Sequence, residues 1–172
     1  MSVVADILES WRKPSQVMGR HLRRGKSEPF AFTFIVVFLI ICFVAQWPEA
    51  ARVTALNPEI PVAAQLLPRG LALLATIPFL YLVAALGGLV ARALGGRGSW
   101  YAARIALFWA LVAVSPLVLL VGLVAGMIGQ GIQLNLIGGV TFAIFLTFWT
   151  INLRAAHLSA AHLNTGAQAS AD

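Results

Sequence analysis

The chain has 172 residues, 60% of them hydrophobic and only 10% charged, at a mean hydropathy of +0.88. Soluble domains carry about a quarter charged residues, so water is not the main solvent and an all-α polytopic membrane protein is the leading class. Twelve Lys and Arg against six acidic residues leave a charge of +6; in a soluble chain that balance would raise nucleic acid as a partner, but here topology accounts for it and no nucleic-acid partner is inferred. The single Cys42 lies inside an apolar run and offers neither an intramolecular disulfide nor a metal cluster.

Residues 1–29 hold six basic side chains and no continuous apolar core, which excludes a cleavable secretory signal. From Ser2 to Trp11, the residues Val3, Val4, Ile7, Leu8 and Trp11 recur at helical spacing on one face and predict an N-terminal amphipathic interfacial helix. Pro14 suits the first turn of a second short helix, with Val17, Met18 and Leu22 on one side and Arg20, Arg23 and Arg24 around them. This basic segment either lies on an anionic leaflet or serves as a solvated tail that fixes orientation.

Four apolar segments follow, at residues 30–47, 71–94, 101–127 and 135–153, within a membrane domain of residues 30–153. The first, Phe30 to Trp47, contains no ionisable group and spans about 27 Å as a helix. Between it and Gly70, Pro48, Pro58, Pro61 and Pro68 predict short helical pieces broken by turns. Pro78 and Pro116 are the expected kinks of the second and third spans, freeing the carbonyls of Leu74 and Val112, with Thr76 and Ser115 nearby as candidates for local repair. Gly122 and Gly126, four residues apart, form a small-residue face for close helix packing. Residues 154–172 are read as a cytoplasmic tail, frayed at its end.

Between the second and third spans runs a glycine-rich basic turn. Gly95 and Gly96 are read as helix-terminating residues, Ser99 as the N-cap of the third span, and Trp100 and Tyr101 as interfacial anchors. Arg92, Arg97 and Arg104 are topological anchors or, alternatively, hold a lipid phosphate, making anionic headgroups the expected lipid partner. Counting cations by segment places ten on the side of both termini and two on the other. The positive-inside rule then puts the N- and C-termini in the cytoplasm.

Catalytic signals are sparse. No ionisable residue lies in the core of a span, as a proton or ion pathway would ordinarily require. His21, His157 and His162 are read as solvated residues outside the bilayer, with no metal set around them. Ser115 has no His or acid in its span, and the Gly-Gly-Arg-Gly turn lacks the Lys-Ser/Thr ending of a P-loop. Neither a catalytic residue, a cofactor nor a metal is inferred, and the chain is read as a non-enzyme.

The run Ala91-Arg92-Ala93-Leu94-Gly95-Gly96-Arg97-Gly98-Ser99, followed by an aromatic, an Arg and a span containing Ser115-Pro116, resembles the Yip-domain (Ypt-interacting protein) family in its bacterial branch. Arg12-Lys13-Pro14 to Leu22 resembles the helix that precedes the first span in that family. The resemblance implies a small multi-pass protein of the bacterial inner membrane with a cytoplasmic N-terminus, whose eukaryotic relatives are linked to Rab-type GTPases. This chain has four spans where the family commonly has five, and Asp6 and Glu9 stand without the acidic motif of those relatives. GTPase binding is therefore not carried over. The expected function is to organise membrane or protein partners, including copies of itself; the alternatives are an accessory or assembly subunit of a larger energy-transducing complex and a small transporter or channel component.

Overall fold

A computed structural model describes residues 3–169, with side chains through residue 157. The described residues form seven helices: α1 (Val3–Ser10), α2 (Pro14–Arg23), α3 (Glu28–Ala45), α4 (Trp47–Leu56), α5 (Val62–Ala93), α6 (Trp100–Met127) and α7 (Ile132–Ala169). Four stretches are long and apolar enough to cross a membrane: Glu28–Leu56, Val62–Ala93, Trp100–Met127 and Ile132–His157. The architecture is all-α and polytopic, as the apolar runs predict.

Prolines set several helix starts. Pro14, Pro29 and Pro48 each stand in the first two positions of their helices, where the missing N–H would have no intrahelical acceptor. The proline-rich connection is more helical than a broken loop: α4 follows α3 after Gln46, and α5 begins at Val62, nine residues before the expected start of the second span. The intervening polar residues are satisfied locally. Gln65 Nε2 donates to Thr54 Oγ1 at 2.9 Å, and Arg69 pairs with Glu49 at 3.4 Å. The helix of the fourth span, α7, likewise continues past residue 153, through the stretch expected to fray, as far as Ala169.

The core sits around the first half of α6. From Tyr101 to Val114 every residue but Arg104 is buried, and Ile105, Phe108, Trp109 and Val112 have no exposed surface at all. A transmembrane helix with lipid on one side would leave a stripe of these residues exposed. Here α3, α5 and α7 cover three sides, and the α1–α2 hairpin fills the fourth.

That hairpin packs onto α6 and α7. Val17 and Met18 of α2 are fully buried against the bundle, while α1 turns Asp6 and Ser10 inward and leaves Val4, Leu8 and Trp11 exposed. Val3, Val4 and Leu8 of the expected apolar face thus point outward, while Ile7 packs against the core and Trp11 is partly exposed. Gly19 lies within α2, and a methyl group there would meet nothing within 4 Å. Gly19→Ala is expected to stabilise α2 by about 0.5–1 kcal/mol, because alanine loses less backbone freedom in a helix. Slower hydrogen exchange of the α2 amides is the measurement that checks it.

Pro78 and Pro116 both lie inside uninterrupted helices, as does Pro68. Beside Pro78, Thr76 Oγ1 donates to Leu73 O at 2.6 Å rather than to the freed Leu74 carbonyl. On α6 a distant side chain reaches the backbone: Trp11 Nε1 donates to Ala113 O at 3.1 Å, one residue from the carbonyl that Pro116 leaves without its helical donor. Gly122 and Gly126 lie where α6 crosses the α3–α4 junction, and an added methyl would run into the backbone of Ala45 and into Pro48 respectively.

Candidate functional site: the N-terminal hairpin and the glycine-rich turn

One group of polar contacts lies where α2, α6 and α7 meet. The hairpin contributes a compact ion cluster. Arg20 Nη1 and Nη2 both donate to Glu9, at 2.7 Å each, and Nη2 also reaches Asp6 Oδ1 at 2.9 Å. The two-point contact of a guanidinium with a carboxylate is the strongest geometry such a pair adopts. Hydrogen bonding to Arg20 holds the Glu9 carboxyl below its usual range, with desolvation working against it. Two of the six acidic residues are therefore used in tying α1 to α2.

Beneath the hairpin lies an aromatic cage. Trp109 Nε1 donates to Ser10 Oγ at 3.0 Å, and Ser10 Oγ donates in turn to Asp6 O at 2.8 Å. The His21 ring packs against Trp109, Phe34 and Phe30 at centroid distances of 4.4, 5.3 and 5.9 Å. His21 is 2% exposed, and neither ring nitrogen has a hydrogen-bond partner. The reading of His21 as a solvated residue is therefore overturned. Its spacing with Val17 and Met18 on one face of α2 was the available sequence signal.

Burial pushes the His21 imidazole down from 6.5 to about 4; Asp6 works in the opposite direction, while Arg24 and Arg20 reinforce the shift. An undocked hairpin would take up the proton near pH 6.5, whereas the docked one resists it. Docking is therefore fully stable above about pH 6.5 and weakens as the pH falls toward 4, by roughly 3 kcal/mol at the lower limit. Near-ultraviolet circular dichroism of the Trp109 environment should follow this loss, and His21→Phe should remove the slope.

The glycine-rich turn closes on the last span. Gly95 adopts a φ of +87°, and Gly95 and Gly96 donate their N–H groups back to Arg92 O and Ala91 O, both at 2.9 Å. This is a left-handed helix stop of the kind that glycine favours. Ser99 then caps α6, its side chain accepting from Ala102 N at 3.1 Å. Both assignments match the sequence reading.

Two other expectations at the turn are corrected. His157 is buried rather than solvated, and its Nδ1 accepts the Gly98 N–H at 2.8 Å, so α7 is pinned to the turn. A side chain at Gly96 or Gly98 would strike this ring. Tyr101 is also buried, in the core rather than at an interface, because α6 is enclosed from its first turn; Trp100 stays partly exposed. His162 lies outside the described side chains.

The three arginines have different surroundings. Arg104 forms an ion pair with Glu28 at the start of α3. Arg92 stacks over Trp100 at 4.0 Å and donates to Gly98 O at 3.3 Å. Arg97 is exposed on the turn. Two of the three thus spend their donors on the protein itself, leaving Arg97 as the cation most available to a headgroup.

Among the described residues no group of three or more His, Cys, Asp or Glu is placed to hold a metal ion. Three span threonines bond to their own helices: Thr33 to Pro29 O, Thr147 to Ala143 O and Thr150 to Thr147 O, each at 2.9 Å. Comparison of the chain with protein families, with curated proteins and with solved structures gives no match in any of the three.

Proposed function

We propose that the chain is a non-enzymatic protein of a bacterial inner membrane that organises lipid and protein partners laterally, in the manner expected of a Yip-like protein. The observation that carries this reading is the unequal packing of the spans. Of the most apolar window in each, 56% is buried in α6 but only 6% in α7 and 11% in α5. One span is held by protein on all sides through its first half, while the others turn long apolar faces outward. Such faces suit lateral contact with lipid or with another membrane protein. The bonds of Thr33, Thr147 and Thr150 to their own helices support a packing role for these residues.

Crosslinking in native membranes followed by mild-detergent purification is expected to recover the chain with a reproducible membrane partner or as a higher oligomer. A strict monomer with no crosslinked neighbour would count heavily against the proposal. Both termini are placed in the cytoplasm by the same proposal, on the ten-to-two division of cations. A reporter fused at Gly129 is expected to read as external, and a cytoplasmic signal there would reverse the assigned topology. Arg97 is the first residue to test for anionic headgroups, with Arg97→Gln expected to lower co-purifying anionic lipid.

A further inference from the structure

Beyond Pro116, α6 loses its ring of neighbours. Leu119, Leu120 and Leu123 are exposed there, where the preceding residues through Ser115 are almost all buried. Two cavities open along this half of the helix. One of about 560 Å³, between α5, α6 and α7, is apolar almost throughout; the other, about 490 Å³, lies between the α3–α4 junction, α6 and α7 and is lined partly by Gln46, Glu49 and Asn135. They share Val118, Val121 and Gly138 and therefore form one continuous groove.

We propose that this groove binds one acyl chain of a bilayer phospholipid, with the headgroup toward Gln46 and Asn135. The polarity of the lining runs as a lipid does, apolar at mid-span and polar where α3 ends and α7 begins. An extended hydrocarbon chain is thin enough to follow this groove along α6 from the apolar cavity into the polar one. Glu49 is already held by Arg69 at 3.4 Å and by Gln130 at 3.1 Å. The amides of Gln46 and Asn135 remain to meet a headgroup, each offering both donors and an acceptor. At the junction of the two cavities α7 has no side chain, and a Cβ built on Gly138 meets nothing within 4 Å.

That open space makes the site testable without disturbing the fold. The full chain is reconstituted in phosphatidylethanolamine and phosphatidylglycerol vesicles containing a phospholipid with a photoactivatable diazirine in its acyl tail, and the adducts are mapped after illumination. Adducts are expected to concentrate on residues 118–121 and 138–141, above the level on the outward face of α5. Gly138→Trp should reduce them by about tenfold, equivalent to about 1.4 kcal/mol of binding, with the helical content and melting temperature retained. Gly139→Trp, where a Cβ also meets nothing but which does not line the groove, should leave them unchanged. Equal labelling of the groove and of α5, or no response to Gly138→Trp, would overturn the site and show only bulk lipid around the bundle. Chain-to-chain crosslinks from position 138, with tail adducts absent, would overturn it in favour of a second copy.

Discussion

Gly122→Ala is expected to force α6 away from the α3–α4 junction, at a cost of about 3 kcal/mol. The added methyl would enter the carbonyl of Ala45, a backbone atom that has no rotamer through which to yield. Gly126 faces the same constraint from Pro48. A lower melting temperature in mild detergent is the direct measurement. Gly138→Ala is the internal comparison: the same change on α7, into open space, should be neutral or stabilising by up to about 1 kcal/mol through helix propensity. Equal tolerance of both substitutions would show that α6 and the α3–α4 junction are not in contact.

Trp109→Ala is expected to cost about 3–5 kcal/mol, the range for truncating a buried aromatic. Trp109 has no exposed surface, packs against His21 and Phe34, and donates to Ser10 across 99 positions of sequence. Its loss removes the floor on which both hairpin helices rest. Trp109→Phe separates the contributions, retaining most of the ring contact while removing the indole donor, and should cost about 1–2 kcal/mol. The distinguishing readout is protease release of residues before Glu28: Trp109→Ala should accelerate it strongly while the four spans stay helical. Unchanged release would mean that the hairpin is held elsewhere.

The spans and the turn were legible for a simple reason. An apolar run long enough to cross a bilayer is a local property of the text, and so is a glycine stop followed by a serine cap, as at Gly95 and Ser99. The hairpin's seat was not legible, because its decisive partners are remote or carry no residue-specific signal. Trp11 bonds a backbone carbonyl, which any residue at position 113 would supply. His21 and His157 looked solvated because they flank the apolar runs; their burial depends on α2 and α7 folding against α6 and the turn. The early start of α5 was hidden by Gln65, Pro68 and Arg69, which interrupt the apolar run but not the helix, since Gln65 and Arg69 find partners on α4. Gly122 and Gly126 were visible as a small-residue face, but nothing in their spacing named Ala45 and Pro48 as the surfaces opposite.

The seat of the hairpin also fixes an order of events during synthesis. α1 and α2 leave the ribosome before the four described spans, yet they rest on α6 and α7, which are made after the other described helices. Trp11 meets Phe148 at 5.4 Å between ring centroids, so the hairpin is not fully seated until the fourth span is in place. Until then the inward-facing Asp6 and Ser10 and the apolar Val17 and Met18 lack their final surroundings, although Arg20 can already pair with both carboxylates of α1. A chain stalled before α7 is inserted therefore presents an open hairpin, and closure of that hairpin marks the arrival of α7.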